Sequence, residues 1–154
     1  MAFAPIIAFW LAEGPTLVLY FLIAVSLTIL FLPDNYYERL QLSNDISYYE
    51  SLGIRFFRWF TQDGDLVTQI LSKAQGNYGR FQSRKNLSKV YNQIVGYERY
   101  HLTCFAFFLL TSVYATLLTN FAIALLIVLS NVVYNIIPLL LQQYNKLRLR
   151  RLRE

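Results

Sequence analysis

Residues 130–154 read SNVVYNIIPLLLQQYNKLRLRRLRE. A run apolar enough to enter a membrane carries Asn131, Asn135 and Gln142, is interrupted by Pro138, and ends in arginines. Amides that face lipid are expensive, so these side chains must face protein, water or a ligand. At about 100° per residue, Asn135, Pro138, Gln142 and Asn145 all fall within roughly 40° of Asn131. The amides form one stripe that begins inside a span and leaves through its end. Lys146 lies close to the stripe and Arg148 well off it. Bonding between helices is the favoured reading for Asn131. A functional site is favoured for Gln142 and Asn145, because other reactive groups reach the same depth.

Working outward, hydrophobic residues make up 56% of the 154, more than a soluble domain of this size carries. A span takes about 20 apolar residues, and roughly 17 at the least. Three stretches meet that limit: 16–32, 102–118 and 121–141. The expected fold is therefore an all-α integral membrane protein, a single membrane domain over 1–154. Three transmembrane helices are expected, with a cytosolic, interface-lying helical segment over 33–101 between the first and second. A basic cytosolic tail covers 142–154. The start of the chain has no Lys or Arg before its apolar stretch, which a cleavable leader would carry. Residues 3–12 are expected to be retained, either lying in the interface or extending the first span.

Charge gives the orientation. The tail carries Lys146, Arg148, Arg150, Arg151 and Arg153, and the other basic residues lie between 39 and 99. The first 15 residues and the LTNF turn at 118–121 carry none. Three spans put the middle segment and the tail on one side, and the positive-inside rule makes that side cytosolic. The N-terminus is then outside, in a bacterial inner membrane or a thylakoid-type membrane. The net charge of +5 suits anionic lipid head groups at the tail and excludes nucleic acid as a natural partner, since the basic residues adjoin the spans.

Within 33–101, ISYYESLGIRFFRWFTQDGD is dense in rings. It reads equally as a helix lying in the head-group region and as a core helix against the spans. Asp63–Gly64–Asp65 reads as a turn, and KAQGNYGRFQSRKN, from Lys73, as a loop. The single cysteine, Cys104, excludes an internal disulfide and a multi-cysteine zinc site. It reads as a small buried hydrophobe rather than a nucleophile. The single histidine excludes a bis-His haem from this chain alone. No phosphate-binding loop, dinucleotide fingerprint, internal repeat or metal-ligand cluster is present in the sequence.

The second stretch with chemistry is GYERYHLTCF, from Gly96. An antiparallel hairpin folded near Thr119 and Asn120 puts Glu98 level with Gln142 and His101 level with Pro138. Glu98 and His101, three apart, share a helical face. A carboxylate, an imidazole and amides then gather at the cytosolic interface. Arg99, Lys146 and Arg148 stand at similar depth. His is the natural base near neutral pH, and an adjacent carboxylate raises its basicity.

At these residues the chain resembles the glycosyl-4,4'-diaponeurosporenoate acyltransferases, small membrane enzymes of carotenoid biosynthesis. The resemblance spans residues 50 to 150 or so. It rests on YESLGIRFFRWF, on Glu98-x-x-His101 opening a span, and on an Asn ahead of QQYNKLRL. The family reads Gln-Arg-Tyr-Asn-Arg-x-Arg-Leu there, which Gln142, Tyr144, Asn145, Arg148 and Leu149 match. Gln143 stands where the family has a basic residue, and Lys146 where it has Arg. The resemblance implies an O-acyltransferase acting on a lipid-soluble glycoside such as a glycosylated carotenoid. In that enzyme His101 would deprotonate the sugar hydroxyl and Glu98 would orient it. Asn135, Gln142 and Asn145 would hold the acyl carbonyl or the sugar. Arg99, Lys146 and Arg148 would hold a phosphate of the acyl donor, whose identity stays open. No cofactor is required. A second reading stands beside it: a non-catalytic subunit of a larger membrane complex, photosynthetic or respiratory, that binds carotenoid, chlorophyll or lipid.

Overall fold

The computed structural model describes the backbone of residues 3–60 and 80–151, with side chains at 3–57 and 88–151. Every regular element among the described residues is helical. In chain order these are α1 (Ala4–Glu13), α2 (Leu17–Thr28), a 3₁₀ turn (Ile29–Phe31), α3 (Asp34–Arg39), α4 (Ile46–Ser51) and α5 (Ile54–Phe60). There follow α6 (Arg80–Leu117), α7 (Phe121–Asn131), a π-helical turn (Val132–Ile136) and α8 (Ile137–Arg151). Two compact units result: Met1–Arg39 with Arg99–Pro138, and Leu40–Glu98 with Leu139–Glu154.

The first unit is the apolar one. Pro5 sits in the first turn of α1, where its missing N–H costs nothing. Gly14, at φ 78°, ends that helix, and its N–H bonds the Trp10 carbonyl. Thr16 then caps α2 by accepting the Leu19 N–H at 3.4 Å. Ile6, Phe9, Trp10, Leu22, Phe108, Ala115, Ala124 and Ile127 form the core. Trp10 stacks on Tyr114 at 5.6 Å between ring centroids. Helix α1 is thus a separate helix packed into this core.

Among the described residues, two helices are long and apolar enough to cross a membrane: Ser88–Leu117, within α6, and the continuous stretch Phe121–Arg151. Much of their apolar surface points outward. Leu109, Val113, Leu117, Leu125, Leu126, Leu129 and Val133 are all exposed. An all-round apolar helix with so little of its surface covered by protein suits a lipid surrounding. Of the three expected spans, the first, 16–32, fails this test. Leu17–Phe31 is one of the shorter apolar helices. At about 1.5 Å per residue it reaches about 22 Å, against roughly 30 Å of hydrocarbon. Gly14 and Pro15 before it and Pro33 after it set that limit.

The turn between the long helices is a Schellman cap. Asn120 N–H bonds the Ala115 carbonyl and Thr119 N–H that of Thr116, both at 2.9 Å. Thr119 carries the required left-handed backbone at φ 61°.

In the second unit, Asp45 caps α4 by accepting the Ser47 N–H at 3.1 Å. Gly53, at φ 76°, lets α5 follow at once. Tyr49, Ile54, Leu141, Tyr144 and Leu147 form its main core, and Ile94 packs with Leu149 beside it. Tyr48, Leu52 and Phe56 point outward, so one face of this ring-rich stretch packs as a core helix and the other is left uncovered. The expected loop from Lys73 is helical from Arg80 onward. The turn at Asp63 and the side chains of Arg58, Trp59 and Phe60 lie outside the described residues.

Left-handed backbone gives two opposite expectations. An L side chain there costs about 1–2 kcal/mol, and a Cβ at Gly53 would meet nothing within 4 Å. Thr119→Gly should therefore raise stability by about 1 kcal/mol and Gly53→Ala lower it by as much, in unfolding of the purified protein in detergent.

Candidate functional site

The chemistry of the second unit gathers on α8, which has no solvent face from Leu141 to Leu147. Residues three and four apart share a helical face. Gln142, Asn145, Lys146 and Leu149 therefore fall together on one side, and Gln143, Tyr144 and Leu147 on another.

The second face is a clamp. Gln143 Oε1 accepts the Leu42 N–H at 3.1 Å and the Tyr49 hydroxyl at 3.0 Å. Its Nε2 donates to the Leu40 carbonyl at 3.1 Å. The Tyr49 hydroxyl also accepts the Ser43 N–H at 3.0 Å. Burial pushes the Tyr49 phenol above its ordinary pKa, which keeps it a proton donor. Tyr144 donates to Glu50 Oε1 at 3.2 Å, and Glu50 in turn pairs with Arg55 at 2.8 Å. Arg148 lies over the Tyr144 ring at 5.6 Å.

The first face holds a buried ion pair. Lys146 Nζ donates to Glu98 Oε1 at 2.9 Å and to Oε2 at 2.7 Å. Each side chain is only 2% exposed. On the same helical face, Gln142 and Asn145 are 1% and 0% exposed. Gln142 Oε1 and both polar side-chain atoms of Asn145 have no hydrogen-bond partner among the described residues. Buried amides are almost always satisfied. Three unsatisfied atoms beside a neutralised charge pair are what a polar ligand would complete.

The remaining predicted residues are placed otherwise. Arg99 bonds the Asp34 carboxylate and the Leu30 carbonyl and lies over the Tyr37 ring at 4.9 Å. It clamps the end of the first apolar segment. Lys146 is likewise committed to Glu98. Asn135 donates to Asn131 at 2.9 Å, and Asn131 to the Phe105 carbonyl at 3.1 Å. Asn131 is helix-to-helix glue, as its sequence position suggests, and Asn135 joins it there. His101 is half-buried in the first unit, its ring edge-on to Tyr100 at 5.3 Å. Asn135, Arg99 and His101 thus belong to the first unit, and Glu98, Gln142, Asn145, Lys146 and Arg148 to the second.

Sequence reasoning missed Tyr49 and Gln143. Their partnership spans 94 residues, and the only sequence signal is that both stand inside short motifs shared with the family. The sequence pattern of the glycosyl-4,4'-diaponeurosporenoate acyltransferase family matches residues 33–154. The chain belongs to that family. No curated protein and no solved structure matches it. The matched region takes in the whole second unit, so this acyltransferase-family member carries clamp and ion pair within its defining segment.

The pair has a thermodynamic signature. Removing one partner of a buried ion pair costs about 3–5 kcal/mol, whereas an apolar replacement of both is near neutral. Glu98→Ala should thus be strongly destabilising, and Glu98→Leu combined with Lys146→Met should recover most of the loss in chemical denaturation.

Proposed function

We propose that this family member is a membrane O-acyltransferase that moves a fatty acyl group onto a hydroxyl of a lipid-soluble glycoside such as a glycosylated carotenoid. Family membership supports acyl transfer in carotenoid biosynthesis. The observation that carries the site is the set of buried, unsatisfied amide atoms on Gln142 and Asn145. Such atoms are the complement of sugar hydroxyls, which both donate and accept.

The family resemblance casts His101, the single histidine of the chain, as the base that takes the proton of the acceptor hydroxyl. The oxygen then attacks the acyl carbonyl, and collapse of the tetrahedral intermediate expels the donor's leaving group. Glu98 acts through Lys146, whose ammonium it holds in place. Gln142 and Asn145 orient the sugar. Membership of the acyltransferase family favours this reading over the pigment-binding subunit. Arg151, exposed at the end of α8, is the described tail residue best placed for anionic head groups.

Loss of a general base costs about 10²–10⁴-fold. His101→Ala should abolish acyl transfer in a membrane assay while expression and insertion persist. Gln142→Leu and Asn145→Leu should each lower kcat/KM about tenfold, the worth of one orienting hydrogen bond. Undiminished transfer by His101→Ala would remove the imidazole from the mechanism.

The orientation proposed is the one charge dictates, with the Asn120 turn outside and both far ends of the long helices in the cytosol. Cysteines introduced at Asn120 and at Ser43 should label from opposite sides of sealed vesicles. Labelling from the same side would overturn it.

A further inference from the structure

We propose that the Glu98–Lys146 pair makes this site selective for uncharged, hydroxyl-bearing head groups, with Glu98 the residue that keeps anionic ones out. The inference rests on the reading of Gln142 and Asn145 as ligand groups. It differs from what the basic residues suggest, namely a cationic pocket for a phosphate.

A lysine buried to this degree would by itself be an anion site. Here both carboxylate oxygens of Glu98 lie within 2.9 Å of its ammonium, and the pair carries no net charge. A third ammonium proton is left over. The unsatisfied atoms beside it are two acceptors, Gln142 Oε1 and Asn145 Oδ1, and one donor group, Asn145 Nδ2. A hydroxyl both gives and takes a hydrogen bond and can meet such a set. An ionised phosphate only accepts, so it would set oxygen against two amide oxygens and a carboxylate. Two nearby cations are also engaged. Arg148 lies over Tyr144, and Arg150 donates to the Tyr91 hydroxyl at 3.3 Å.

The test uses the full chain in zwitterionic micelles doped with equal mole fractions of octyl glucoside or octyl phosphate, read by the thermal midpoint. The wild type should rise by about 2–4 °C with the glucoside and not with the phosphate. Glu98→Gln leaves Lys146 uncompensated and should reverse that order. Adding Lys146→Met to it should abolish the phosphate response. Should Glu98→Gln fail to fold, Gln142→Lys supplies the same excess positive charge and should likewise gain a phosphate response. A wild type stabilised equally by both, or charge variants that gain no phosphate response, would overturn the selectivity while leaving the glycoside reading standing. A wild type indifferent to the glucoside, matched by Asn145→Leu, would overturn both.

Discussion

The burial of Lys146 against Glu98 is the constraint from which the second unit follows. Neither charge tolerates an apolar surrounding alone, so the helix carrying one must be held against the helix carrying the other. Once Lys146 is fixed, helical spacing decides the rest of α8. Gln142 and Asn145 are carried to the same side as the pair, and Gln143 and Tyr144 are turned toward residues 40–50. A single contact therefore separates the residues free to bind from those used to hold.

The holding side explains how such a pair can be kept. Gln143 meets two backbone groups of the 40–43 stretch and the Tyr49 hydroxyl, so three groups lose water only to gain a partner. Tyr144 and Tyr49 add ring area around the same axis. The resulting frame is stiff, and stiffness is what a site with unsatisfied amides needs. A looser helix would turn Asn145 until some nearby donor or acceptor captured it.

Much of this was readable from residue order alone. The two long apolar helices, the turn at Thr119, the helical continuation of the tail and the exceptional nature of Gln142, Asn145, Lys146 and Glu98 all follow from composition and periodicity. The single stripe from Asn131 to Asn145 did not survive. Its arithmetic assumes uninterrupted α geometry, whereas the Ile137 N–H reaches back five residues to the Val132 carbonyl. A π turn of this kind inserts a residue and shifts every later side chain by about 100°. Pro138, which lacks an N–H, stands just beyond it. Nor could pairings such as Arg99 with Asp34, 65 residues apart, be read from spacing. They turned two supposed phosphate ligands into members of neutral pairs.

The clamp also dictates an order of events during synthesis. Leu42 waits 101 residues for Gln143, Tyr49 waits 94, and Glu98 waits 48 for Lys146. The apolar first unit is complete by Pro138, whereas the clamp and the ion pair of the second cannot close until the residues after it emerge. Contacts of such long separation form slowly, and a nascent chain holds unpaired groups in the meantime. A ribosome stalled a dozen codons before Arg151 would therefore expose Tyr49 and a lone carboxylate, a form that quality-control proteases are suited to remove.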